Sequence, residues 1–225
     1  MNPRIALLLF AFAFTTRISA QNDEPMLNFL RLYAFADRAH DITSLDTSEG
    51  IAPGGNLTVA IPYADFDPAT DKIRLGWLAT AQIGYGKLHN MRGENNGKWF
   101  PYIFDIGIWG SYYFNRNFEA GCQYSPIGIY GYNRYACFGS NITLKLRAWR
   151  LQAEIAREGG GLFVGCIRPK FEGPAIQHYG IYYCGKSLFF TGIRFMQTNL
   201  AEKNSTYINK MSEFRLVVGL GLSNI

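Results

Sequence analysis

Three histidines, four cysteines and one glycine–lysine–serine run are the residues of this chain that could carry chemistry. A hydrolytic site needs a nucleophile, a base and an orienting acid within hydrogen-bond reach of one another. His40 precedes Asp41 and lies near Ser44, His89 lies near Glu94, and His178 stands among tyrosines and glycines. None has partners at a diagnostic spacing, so no enzymatic activity is expected. Gly180, four residues and then Gly185-Lys186-Ser187 fit the phosphate-loop pattern. That pattern cradles phosphate only where a strand ends in a loop that opens a helix. Here the residues on both sides alternate as strands do, so a hairpin turn is expected, with no nucleotide or other cofactor. Cys122 and Cys137 flank one connecting segment, but Cys122 falls among apolar residues and Cys137 among polar ones. A cross-strand disulfide between them would need a bulge. Cys166 and Cys184 are expected at opposite ends of the molecule. The cysteines are therefore read as free or only partly paired, and no metal-ligand spacing is present.

The elements that position these residues follow period two. Ile73, Leu75, Trp77, Ala79, Ala81, Ile83 and Tyr85 share one face, and Lys72, Arg74, Gly76, Thr80, Gln82 and Gly84 share the other, with Leu78 the one exception. Alternation of this kind is a strand signal. Its length exceeds an ordinary globular strand of about five or six residues and suits a tilted membrane strand of about ten. The next stretch, Tyr102 to Phe114, alternates in the same way. After the polar turn Asn115-Arg116-Asn117 the chain returns through Phe118, Ala120, Cys122 and Tyr124. Further strands are read over Ala136 to Leu146, Trp149 to Ile155, Tyr179 to Tyr183, Phe189 to Phe195 and Phe214 to Leu222. Short turns near Arg147 and Gly185 alternate with longer segments, expected as loops, at His89–Lys98, Pro126–Arg134, Arg157–Ala175 and Thr198–Lys210.

The fold expected is all-β, an antiparallel up-and-down transmembrane β-barrel. Eight strands are placed, and ten are reached if the N-terminal segment adds two. No apolar run after residue 20 is long enough for a membrane helix, so a membrane-spanning chain of this composition must close into a barrel. Aromatics such as Tyr112, Phe114, Phe118, Trp149, Tyr183 and Phe189 stand beside the short turns, where an interfacial girdle would place them. With the apolar faces toward lipid, the lumen would hold Arg74, Asp105, Glu119, Lys145, Arg150, Glu154, His178, Arg194 and Arg215. Buried charges must be paired, so a salt-bridge network that fills the lumen is the leading expectation and a narrow pore the second. A soluble barrel would reverse the faces, with apolar residues inside around a ligand.

The stretch Ser111–Tyr124, with its aromatic-flanked short turn, resembles small bacterial outer-membrane β-barrel proteins of the OmpA and OmpX type. That resemblance implies outer-membrane lipid and the barrel-assembly machinery as partners, and a surface or envelope protein as a further candidate. Such barrels usually end in an aromatic residue, whereas this chain ends Leu222-Ser223-Asn224-Ile225. Residues 1–20 read as a signal peptide. Arg4 is followed by the apolar run Ile5 to Phe14 and a small-residue end, with cleavage expected between Ala20 and Gln21. This leader resembles those of the Bacteroidota, which often leave glutamine at the mature N-terminus. Residues 21–70 are an N-terminal segment, read as two further strands, a periplasmic extension or an amphipathic helix over Met26 to Ala36. Residues 71–225 are the barrel. Loss of Arg4 and Arg17 with the leader takes the net charge from +5 to +3. With no clustered basic stripe, nucleic acid is not an expected partner.

Overall fold

The computed structural model describes residues 30–42, 47–67, 69–90, 92–132, 135–166, 171–185, 189–202 and 208–222. The expected leader and its cleavage point lie outside them. Twelve strand segments follow one another in chain order. They are β1 (Leu30–Ile42), β2 (Thr47–Pro62), β3 (Ile73–Gly84), β4 (Gly86–Asn90), β5 (Asn95–Trp99), β6 (Tyr102–Asn115), β7 (Phe118–Tyr132), β8 (Tyr135–Ala148), β9 (Leu151–Cys166), β10 (Phe171–Cys184), β11 (Phe189–Glu202) and β12 (Ile208–Leu222). Each main strand pairs antiparallel with its neighbours, and β1 pairs with both β2 and β12. The sheet thereby closes on itself. β4 continues β3 past Tyr85, and β5 leads through Phe100 and Pro101 into β6, so the closed wall has ten strands with the β4–β5 hairpin rising from it. Closure removes the free edges of the ten-strand wall, which an open sheet of this length would expose to aggregation, and leaves β5 of the raised hairpin paired with β4 alone. No helix among the described residues is long and apolar enough to cross a membrane, which says nothing against crossing by strands.

The N-terminal segment supplies β1 and β2, the two further strands among the readings above. Leu30 to Ala36, within the stretch that could have formed an amphipathic helix, is strand. The reason lies in its period. Arg31, Tyr33, Phe35, Asp37 and Ala39 all face inward and are buried, while Ala34, Ala36 and Arg38 face outward. A helix would scatter that set around its circumference.

The four segments expected as long loops are mostly strand. β7 continues to Tyr132, β9 to Cys166 and β11 to Glu202, while β10 begins at Phe171 and β12 at Ile208. These stretches lack apolar periodicity because their outer faces stand beyond the apolar band. Their backbones still pair, and ladder hydrogen bonds need no particular side chain. One turn is also displaced from its expected place near Arg147. Ala148 pairs with Leu151, leaving Trp149 and Arg150 as the two-residue loop. Trp149 has φ 61°, a left-handed conformation that a two-residue hairpin requires at its first loop position and glycine usually supplies.

The two faces are inverted relative to a soluble barrel. Ile73, Leu75, Trp77, Ile106, Leu144, Ile181 and Leu216 are exposed on the outer wall. Leu78, the exception to the alternation of β3, points inward and packs against Ala60 and Trp109. Along β3, Ile73 to Tyr85 spans roughly 30 Å of the barrel axis at about 3.3 Å per residue and a tilt of about 40°. That is about the hydrocarbon thickness of a bilayer. Aromatic rings cluster toward both rims. Tyr112 lies 4.8 Å from Phe114, and Phe114 lies 5.1 Å from Phe118, beside the short turns. Tyr85, Phe100, Tyr102 and Phe104 form a chain of rings with centroids 5.9 to 6.5 Å apart toward the hairpin end.

Candidate functional site

Alternation along ten strands brings their second face into one lumen. Among the described residues, six cations (Arg31, Arg74, Lys145, Arg147, Arg194 and Arg215) and five carboxylates (Asp37, Asp105, Glu119, Glu154 and Glu213) are buried there. The near balance matters. An unpaired charge in a dry interior costs several kcal/mol, whereas a paired and hydrogen-bonded one is tolerated.

Three ionic clusters lie in the lumen among the described residues. Toward the short turns, Glu119 accepts from Arg74 Nη2 at 2.6 Å and Ser111 Oγ at 2.5 Å, with Arg147 Nε 3.7 Å away. Arg147 also donates to the backbone oxygens of Arg116 and Trp149 at 3.1 and 3.0 Å, tying two turns to this cluster. The Arg74 guanidinium lies over Trp109 and over Phe66, a side chain of the β2–β3 turn that also meets Tyr113. Higher up, Glu154 on β9 accepts from Arg31 on β1 at 2.5 Å and from Gln152 at 2.9 Å, with Lys145 and Arg194 at 3.4 and 3.5 Å. Arg194 Nε donates to the Tyr182 hydroxyl at 2.8 Å. Beside this cluster, Arg215 holds Asp37 in a two-pronged pair at 2.5 and 2.6 Å. It donates to Gln82 at 2.5 Å and lies 4.0 Å above the Phe35 ring. Residues 35 and 54 are in register, and a Cβ at Gly54 would run into the Phe35 ring. Glycine there is what allows the ring to lie flat under the arginine.

The pairs join distant parts of the wall. β1 and β9 are four strands apart around the barrel, and β12 and β3 are three apart. The contacts Arg31–Glu154 and Arg215–Gln82 therefore cross the interior. Between the clusters lies a polar cavity of about 50 Å³, lined by Asn56, Thr80, Gln82, Asp105, Gln123 and His178 among others. That is room for a few waters. Asp105 accepts there from Ser125 at 3.2 Å and from Asn141 at 3.3 Å.

The sequence-derived lumen set is placed as follows. Arg74, Asp105, Glu119, Lys145, Glu154, His178, Arg194 and Arg215 are buried in the interior. Arg150 is not, and its assignment to the lumen is corrected: it is a half-buried member of the β8–β9 turn, and Arg147 occupies the lumen position instead. Moving the turn from Arg147 to Trp149–Arg150 accounts for this change. Arg31, Asp37, Arg147 and Glu213 were missed. The period-two signal was present for Arg31 and Asp37, both inward on β1. Glu213 was hidden because it stands at the start of the apolar stretch of β12.

The other candidate residues are dispersed. His40 and His89 face outward at the hairpin end, whereas His178 is buried on the lumen face. Gly180 to Cys184 lies in β10 and β11 starts at Phe189, so strands flank the phosphate-loop pattern; residues 186–188 are outside the described set. Cys122 is exposed on the outer wall opposite Leu144, and Cys184 is buried. The backbone of Cys137 stands opposite Tyr130 and Cys166, not opposite Cys122. Among the described residues no group of three His, Cys, Asp or Glu side chains is placed to hold a metal.

No family model matches the chain, and no curated protein sequence does. Among solved structures, it is similar to the transport unit of the autotransporter AIDA-I from Escherichia coli, at 10% identity over 97% of both chains with a TM-score of 0.41. It is also similar to the translocator domain of the autotransporter NalP from Neisseria meningitidis, at 10% identity over 97% of both chains with a TM-score of 0.32. Pseudomonas aeruginosa OpdL overlaps 87% of this chain and 98% of its own at 10% identity, with a TM-score of 0.22. Overlaps at this level carry no argument about function.

Proposed function

We propose that this chain is an exported outer-membrane β-barrel with a closed lumen, serving a structural or surface-interaction role without enzymatic activity. One observation carries the reading. The molecule is charged within and apolar without, and most of its inner charges pair with one another, Arg31 with Glu154 across the lumen. An apolar outer wall about as tall as a bilayer core is unfavourable in water and favourable in lipid. A soluble ligand-binding barrel would need the opposite facing. The small-barrel character of Ser111–Tyr124 supports the same assignment. The short turns would face the periplasm, together with both termini of the wall, and the raised hairpins would face outward to meet a partner. Outer-membrane lipid surrounds the wall, and the barrel-assembly machinery would insert it.

A narrow pore is the second reading, favoured by the polar cavity between the ionic clusters. Planar bilayers separate the two. The plugged barrel is expected to be silent, and Glu154→Ala with Arg31→Ala is expected to open a small conductance by removing the cross-lumen contact. Steady conductance in the unaltered protein would overturn the plug. Migration on SDS gels tests the barrel itself: the unboiled protein should run faster than the boiled one. Recovery of the chain in a soluble fraction with no such shift would overturn the membrane assignment.

A further inference from the structure

The outer wall carries one feature that neither a plug nor an apolar belt requires. At the hairpin end, the register across β1, β2 and β4 sets two adjacent rows on the outward face. Arg38, Ile51 and Lys87 form the first row, and His40, Glu49 and His89 the second. The side chains stand free of the interior: Arg38 is 71% exposed and Glu49 53%. Glu49 accepts from Arg38 at 3.3 Å and lies 3.0 Å from His40 Nδ1. These two contacts, that of His40 first, hold its carboxyl below the usual carboxylate range, so it is ionised at neutral pH. Arg38 thus has one exposed partner, and Lys87 stands across Ile51 from it.

Charge thins out along both rows away from this place, and the second row meets its next charge at Arg157 on β9. Followed onward from Arg38, the first row continues through Phe214, Phe195 and Tyr179. Followed onward from His40, the second continues through Ser212, Gln197 and Gln177. None of these six residues is charged. The wall is also concave at this place. A groove of about 660 Å³ is bounded by Arg38, Glu49, Ile51, Tyr85 and Lys87, and a second of about 420 Å³ adjoins it through Glu49 and His89. Ile51 stands exposed between the two cations, and below it Ile83 and Tyr85 are exposed and continuous with the apolar belt. Cations above and an apolar floor below match a molecule with an anionic head and a hydrocarbon tail. A free anion would have no use for the floor, and a protein partner would have no reason to reach below the rim.

We propose that Arg38 and Lys87, with His40 and His89 beside them, form a binding site on the outer wall for the phosphate-bearing headgroup of a membrane lipid whose chain lies along Ile51 and Tyr85. Arginine and lysine at a membrane rim attract such headgroups, and arginine matches phosphate oxygens in a forked geometry. Glu49 opposes the headgroup and keeps Arg38 and His40 in place when the groove is empty. The inference rests on the membrane reading above.

The test uses the full chain folded in an uncharged maltoside detergent and titrated with dioleoyl phosphatidic acid, dioleoyl phosphatidylcholine or inorganic phosphate, with bound adducts counted by native mass spectrometry. The gel shift of each sample is recorded first. If the shift is absent, the barrel reading has failed; every later outcome bears on the headgroup site alone. Phosphatidic acid should be retained several-fold better than phosphatidylcholine. Arg38→Gln with Lys87→Gln should cut that retention about tenfold, while Arg157→Gln, an outward cation on β9, should leave it unchanged. Glu49→Gln should raise retention, a gain that misfolding cannot imitate. Equal retention of the two lipids, undiminished retention in the double variant, or full competition by inorganic phosphate at the lipid's concentration would each overturn the proposal.

Discussion

Glu119 shows most clearly what a buried charge does in this molecule. It is fully buried, and both of its oxygens lie near cations. Removing one member of such a group leaves the others charged and unpaired, at a cost of about 3 kcal/mol or more. Glu119→Gln is therefore expected to destabilise the barrel by that amount, read as a lowered urea midpoint in detergent. The double change Arg74→Met with Glu119→Leu should cost less than Glu119→Gln alone, because it removes two of the three charges and substitutes packed apolar atoms, while Arg147 keeps its two backbone acceptors. A double variant less stable than the single one would mean that the pair is net stabilising and not merely mutually tolerated. Arg215 and Asp37 invite the same treatment. There the arginine also covers the Phe35 ring, so its loss would remove packing as well as charge.

At the scale of the strand, register is the property that everything else depends on. A slip of one residue would turn a strand's charges to lipid and its apolar residues to the lumen. The β8–β9 hairpin offers a direct check, since its register opposes the backbones of Cys137 and Cys166. Mild oxidation by oxygen with a copper–phenanthroline catalyst is expected to join these two cysteines, and peptide mapping would identify the link. A Cys122–Cys137 link in their place would contradict the register, because Cys122 faces outward opposite Leu144. The hairpin ends also explain why four stretches looked like loops. Periodicity in a membrane barrel is written by lipid on one face and the lumen on the other. Above the belt neither condition holds, so Arg157 to Cys166 could pair as strand without alternating.

For the molecule as a whole, the proposed orientation rests on which end carries the short turns. Asn115–Asn117, Trp149–Arg150 and the start of β1 share one end with the end of β12, while the β4–β5 hairpin rises at the other. A peptide tag inserted between Arg92 and Gly93 should be reached by antibody on intact cells. One inserted between Asn115 and Arg116 should be reached only after the outer membrane is permeabilised. The reverse pattern would invert the proposed orientation and move the Arg38–Lys87 groove to the inner leaflet. Gly93 has φ 80° and open space around it, so the first insertion meets little resistance from packing.

Period two by itself determined the all-β class, the inner and outer sets along most strands, and eight of the nine residues placed in the lumen. That signal is local, because each strand records which of its faces points inward and which outward. Whether Leu30 to Pro62 joined the wall was not local information. Short alternating stretches fit more than one element, and pairing of β1 with β12, nearly the whole chain apart, decided it. The tertiary structure also decided which charges meet. Arg31 and Glu154 are separated by 123 residues and Arg215 and Asp37 by 178, distances over which composition and spacing carry no record of partnership. The same is true of the outer groove. Arg38, Glu49 and Lys87 are ordinary polar residues along the chain, and only closure and register set them side by side above an apolar floor.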